Sequence, residues 1–213
     1  MATMPAAPRP RQASVADWYA TDAGCSLGQS QHSTLRQLLA QRPHQPLLWL
    51  APAPGWGMGE PCLPRTLLLH RQADGWAGEL VARLPLPLAS ASFGTVVLQH
   101  PAPDAAAALV ADCARLLLPG GVLLLVGCRG MHPQRMLHPT LPLWRQPRPG
   151  WRRLLALNGL LLRGSHALPP PHPGLAAACV VLEAEKRTQA LVGPRPVPRL
   201  AVQPTGRHSL KVT

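Results

Sequence analysis

Among the side chains able to do chemistry, His100 has the most suitable setting. It follows Thr95-Val96-Val97-Leu98-Gln99, a short apolar run that reads as a strand delivering Gln99 and His100 to its carboxyl end. An imidazole titrates near neutrality, so His100 is the candidate for catalytic proton transfer, with a purely structural role as the alternative. A second segment, Pro52-Ala53-Pro54-Gly55-Trp56-Gly57-Met58-Gly59, leaves the apolar run Leu47-Leu48-Trp49-Leu50-Ala51. Its glycines would let backbone approach a ligand, whereas its prolines remove N–H donors from the same loop. A third apolar run, Thr66-Leu67-Leu68-Leu69, ends in His70-Arg71, with Asp74 a little further on. Tyr19 is the single tyrosine, so a phenol-based role could rest only there. With nine carboxylates in 213 residues, any acid–base role for a carboxylate has few places to sit. The five cysteines form no C-x-x-C pair and no His or Cys pair has ligand spacing, so no metal site is expected.

The elements that position these groups are clearest between residues 93 and 127. The strand 95–98 is followed by a run in which Ala107, Leu109, Val110, Cys113, Ala114, Leu116 and Leu117 recur at close to helical spacing. Asp104 is the expected N-cap, because its carboxylate can accept the unpaired N–H groups of the first turn. Pro119-Gly120-Gly121 is the expected stop, and Val122 to Val126 is a second fully apolar strand. Strand, helix, turn and strand make a βαβ unit, whose right-handed crossover sets the two strands parallel. Strands apolar on both faces belong inside a sheet covered by helices on each side. In open sheets of this kind ligands bind beyond the carboxyl ends of the strands, where Gln99 and His100 fall.

The same residues resemble the class I S-adenosylmethionine-dependent methyltransferases, in particular their small "type 11" group. The resemblance rests on Leu84-Pro85-Leu86-Pro87-Leu88 through Ser92-Phe93, on Val96-Val97-Leu98-Gln99-His100, and on Ala114-Arg115-Leu116-Leu117-Leu118-Pro119-Gly120-Gly121. It extends over roughly residues 15 to 187. It implies a Rossmann-like fold: a mostly parallel sheet flanked by helices, with a C-terminal antiparallel hairpin. S-adenosylmethionine is the implied cofactor and an unidentified methyl acceptor the implied partner. Leu50, Ala51, Gly55, Gly57, His70, Arg83, Leu84 and Gln99 are the implied cofactor-binding residues, with Arg83 and Leu84 beside Ala82 at the adenine edge. Trp18, Tyr19, Thr21 and Gly24 match a W-Y-x-T-x-x-G signature, whose helix packs across the cofactor cleft; equally, Trp18 and Tyr19 could simply anchor an N-terminal arm on the core. Three departures stand out. Ala51 occupies the first position of the family's G-x-G-x-G loop, Gly94 replaces an aspartate, and His70-Arg71 stands where an acidic residue would clamp the ribose. His70 or a looped-back Asp74 could substitute; otherwise the clamp is lost. Methyl transfer requires an open notch at the tips of the strands near 47, 66, 95 and 122, and a notch filled by Trp56 or its prolines is ground for abandoning the transferase reading.

The remaining chain organises around this core. A hydrophobic fraction of 46% supports one α/β domain over 14–187, and the 27 prolines gather in loops and tails. Residues 1–13 and 188–213 read as disordered tails, the second basic. Expected elements are a helix from about 31 to 41, a stunted or absent helix between the first two strands, and an edge strand over 78–83. A long loop at 128–149, a helix over 150–158 and two final strands at 160–165 and 176–185 follow. The net charge of +12 would suit a polyanion such as nucleic acid. Its arginines are dispersed without interleaved aromatics, however, so the charge reads rather as compositional bias. Nothing resembles a signal peptide or a membrane span, and the scattered cysteines suit a reducing compartment, so a cytoplasmic protein without a membrane partner is expected. Two other functions compete with the transferase: a non-catalytic binding or scaffold protein on the same fold, and a basic nucleic-acid-binding module.

Overall fold

The computed structural model describes residues 18–57, 65–128, 148–169 and 179–187. Both expected tails lie outside the described residues, as do the domain limit near residue 14 and nearly all of the 128–149 loop.

Among the described residues the elements are α1 (Asp22–Ala40), β1 (Leu47–Ala51), β2 (Thr66–Gln72), β3 (Gly75–Gly78), β4 (Phe93–Gln99), α2 (Ala106–Leu116), β5 (Leu117–Cys128), α3 (Arg148–Leu157), β6 (Leu160–Ala167) and β7 (Cys179–Lys186). The seven strands form one sheet in the order β3-β2-β1-β4-β5-β7-β6. Its centre is parallel, with β1 between β2 and β4 and β4 beside β5. Its margins are antiparallel, at β2–β3, β5–β7 and β6–β7. The C-terminal antiparallel pair is as expected from the sequence.

Alternation along the continuous apolar strands feeds two cores. Leu48, Leu50, Val96, Leu98, Leu123 and Leu125 face α2 and α3 in one cluster. Leu47, Trp49, Ala51, Val97, Leu124 and Val126 face α1 in the other. β1, β4 and residues 122–126 of β5 are thus buried on both sides, as their composition requires, while β2 is mostly half-buried.

Several boundaries differ from the sequence reading. α1 begins nine residues before Gln31, at Asp22, because Thr21 caps it, its side chain accepting from the Gly24 amide at 3.3 Å. Asp104 does not cap α2; Ala105 holds that position without a side-chain bond, and Asp104 is exposed. α2 stops at Leu116, ahead of the Pro-Gly-Gly turn, because Leu117 is already extended and pairs with Phe93. Pro119-Gly120-Gly121 then sits inside β5, where the register with β4 shifts between Phe93 and Thr95. The edge strand is Gly75–Gly78 rather than 78–83, because the short Ala73-Asp74 connection folds β3 back on β2; of the later residues Ala82 alone makes a bridge, to Trp76. Gly94 faces Gln45, whose side chain a Cβ there would strike, so this site is not open to the aspartate of the resembled group. α3 ends as anticipated at Asn158-Gly159, with Gly159 at φ +71°.

Candidate functional site

β1 and β4 are parallel neighbours, with Leu50 opposite Leu98, so their carboxyl tips lie side by side. Ala51 ends one and Gln99-His100 the other. α1 covers this edge from one face through Leu27, Leu35 and Leu39. Between them stands Trp56. The loop leaving β1 folds inward, so the indole is 1% exposed. Its Nε1 donates to the Tyr19 carbonyl at 2.7 Å. Its ring makes edge-on contacts with Tyr19 and His100, at centroid distances of 5.1 and 5.3 Å. α1 accommodates it by having no side chain at Gly28, where a Cβ would come within 3.2 Å of the indole. Gly24, one turn earlier, is equally constrained, since its Cβ would lie 2.5 Å from the Trp18 carbonyl oxygen.

A buried polar chain runs beside the indole. Trp49 Nε1 donates to Gln99 Oε1 at 2.7 Å, and Gln99 Nε2 donates to Gln31 Oε1 at 3.3 Å. Gln31 Nε2 lies 3.0 Å from His100 Nε2. Gln31, Gln99 and His100 are 0%, 1% and 4% exposed, so they satisfy one another rather than solvent. His100 itself has φ +44°, a left-handed conformation uncommon for a side chain with a Cβ, and its amide donates to the Val126 carbonyl at 2.9 Å.

The residues implied as cofactor contacts divide into three groups. Ala51 and Gln99 meet at the notch with His100, but Ala51 is fully buried and both polar ends of Gln99 are engaged. Leu50 points into the α2/α3 core, and Gly57 packs so closely on Leu68 that a Cβ would lie 2.6 Å from its side chain. Gly55 is exposed, at φ +79° with open space around it. His70 sits opposite Ala51 in register and is half-buried, while Asp74 is exposed in the β2–β3 turn. Arg83 is exposed, and Leu84 lines a groove of about 370 Å³ with Pro85, Ala108, Ala111, Asp112 and Arg115. An adenosyl group and the Trp56 indole cannot occupy one volume. As packed, the notch does not fit the donor: the expectation of an open notch is not met, and the ground stated above for abandoning a transferase holds for any donor site preformed in this packing.

Two features escaped sequence reasoning. Gln31 carries a signal in retrospect: it interrupts the line Leu27, Leu35, Leu39 on the buried face of α1. The other is a clamp on α2. Asp112, 7% exposed, accepts from the Leu86 amide at 2.7 Å and from Arg115 Nε at 2.7 Å. Arg115 also donates to the carbonyls of Leu86 and Leu88, at 2.8 and 2.7 Å, so one ion pair fixes the Leu-Pro-rich loop. Beneath it, burial pushes the Cys113 thiol far above its ordinary value of 9.0, with the Asp112 carboxylate adding to the shift.

No family model matches the sequence, and neither does any curated protein. Solved structures do match the fold. A chain of the Haloferax volcanii complex between a methyltransferase activator and a methyltransferase has a TM-score of 0.55 at 12% identity, over 84% of this chain and 100% of that one. An S-adenosylmethionine-dependent methyltransferase of Mesorhizobium loti has a TM-score of 0.51 at 13% identity, over 73% and 97%. The CurJ carbon methyltransferase has a TM-score of 0.50 at 13% identity; the match takes in 81% of this chain but spans only 57% of that one. The chain therefore has the Rossmann-like fold of the class I S-adenosylmethionine-dependent methyltransferases. At such identities the likeness is one of fold alone. Among the described residues, no helix is long and apolar enough to cross a membrane.

Proposed function

We propose that the chain is an S-adenosylmethionine-dependent methyltransferase whose donor enters the β1/β4 notch only after Trp56 has left it. The observation that carries this reading is the side-by-side placement of the two parallel tips beneath a loop that bears Trp56 between Gly55 and Gly57. Trp56 belongs to that loop and not to a strand, and Gly55 offers a backbone joint free of Cβ strain. In this reading the 51–57 backbone, His70 or Asp74, Arg83, Leu84 and Gln99 border the donor. His100 is then the titratable group nearest the acceptor, whose identity is open. Methyl transfer needs positioning more than a strong base, so the scarcity of carboxylates does not oppose it.

A second reading, a non-catalytic scaffold on the same fold, is favoured by the Trp49–Gln99–Gln31–His100 chain, in which the polar groups at the notch are spent on one another. Calorimetric titration with S-adenosylhomocysteine at millimolar concentration separates the two. Heat of binding with the wild-type chain supports the transferase. Binding seen only with Trp56→Gly would mean a notch sealed in the native chain, and no heat from either protein would leave the scaffold; both results reject the transferase reading.

A further inference from the structure

We propose that Gln31 is a positioning residue that holds His100 as its Nδ1–H tautomer, with the Nε2 lone pair turned toward the Gln31 amide, and that Trp49 sets the direction of the chain. An indole nitrogen can only donate. Because Trp49 Nε1 donates to Gln99 at 2.7 Å, the near atom of Gln99 is its oxygen and the far one its NH₂. That NH₂ faces Gln31 Oε1 at 3.3 Å, which makes the other end of Gln31 a donor as well. Gln31 Nε2 lies 3.0 Å from His100 Nε2, and two donors cannot share that contact, so the histidine nitrogen accepts. Gln31 Oε1 is also 3.3 Å from His100 Nε2, which would suit a proton on that nitrogen. A proton there would leave the shorter 3.0 Å contact donor against donor, and turning Gln31 to relieve it would set NH₂ against NH₂ between the glutamines, or NH₂ against indole N–H at Trp49 if Gln99 turned as well. All four side chains are buried, so no bulk water absorbs the mismatch.

The consequence rests on the transferase reading, whereas the tautomer does not. Gln31 lies one turn from Gly28, the seat of Trp56, on the same buried face of α1. Withdrawal of α1 therefore removes the support of Trp56 and uncaps His100 Nε2 in one movement. His100 could receive an acceptor's proton at Nε2 only once Gln31 has moved away from it, which departure of the Trp56 loop alone would not achieve.

The test is a long-range proton–nitrogen correlation spectrum of the full chain labelled with ¹⁵N-histidine, the His100 signals being assigned by their loss in His100→Gln. The expected pattern is an unprotonated, hydrogen-bond-accepting Nε2 and a protonated Nδ1. Gln31→Glu, an acceptor at both oxygens, should put a proton on Nε2, whether Nδ1 loses its own or the ring becomes imidazolium. Trp49→Phe should give a mixture of tautomers. A wild-type Nε2 that carries a proton overturns the assignment whatever the variants do, and so does a folded Gln31→Glu protein with the wild-type pattern. If calorimetry finds no donor binding while the expected tautomer is present, the transferase reading fails and the role of Gln31 stands.

Discussion

Replacing Trp56 with alanine tests whether the notch is held shut by packing or merely overlaid by a loop. The indole is 1% exposed, lies edge-on to two rings and donates one buried hydrogen bond. Truncating a buried tryptophan costs about 3–5 kcal/mol, through lost transfer energy and the cavity left behind. With a urea dependence of about 2 kcal/mol per molar for a domain of this size, the unfolding midpoint should fall by about 2 M. Trp56→Phe keeps a ring against Gly28 and loses chiefly the bond to Tyr19, so about 1–2 kcal/mol and a shift of under 1 M are expected. Far-UV circular dichroism is the suitable probe, because removing one of the six tryptophans alters the fluorescence itself. Equal, small shifts for the two variants, below about 0.5 M, would mean that the indole spends little time in its seat. The plugged notch would then be a minor state, and the argument that donor entry needs Trp56 to move would collapse.

Arg115→Met should cost about 2–3 kcal/mol in thermal or urea unfolding. That is less than for a fully buried pair, because the Arg115 side chain is 34% exposed. Arg115→Lys should recover less than half, since an ammonium cannot span a carboxylate and two carbonyls as a planar fork does; full recovery would refute the clamp. Native-state alkylation followed by peptide mass analysis should modify exposed Cys25 and leave Cys113 and Cys179 unreacted until urea is added. The raised thiol of Cys113 also predicts a stability contribution that is present below pH 9.0 and lost above it, as the unfolded thiol ionises and the buried one does not. Cys113→Ala should flatten that alkaline decline, and an unchanged profile would exclude Cys113 as its source.

The parallel centre of the fold was legible because its strands are apolar on both faces, and that pattern admits few alternatives to a sheet covered by helices. Leu47–Ala51 and Val122–Val126 are both of this kind. The edges were harder to read, since local chemistry there is overridden by contacts remote in sequence. Asp104 is a better cap than Ala105 by propensity alone, yet the chain turns into α2 one residue later. Leu117 has helical neighbours but gains a strand partner in Phe93, and sheet pairing ended the helix before the glycines could. At the carboxyl edge of the sheet, the placement of two side chains was legible and the packing around them was not. Gln99 and His100 do reach the carboxyl edge beside the 51–57 loop. What occupies that edge, however, depended on Gly28 and Gln31, on a helix 20 or more residues upstream, and their meaning appears only against Trp56 and His100. A glycine and a glutamine on the apolar face of α1 look like defects when that helix is considered alone. Paired with an indole and an imidazole from the carboxyl edge of the sheet, they become the seat of the one and a hydrogen-bond partner of the other. The same juxtaposition is why fold likeness and donor binding are separate questions here: topology brings the tips together, and side chains from α1 and the β1 loop decide whether anything can enter between them.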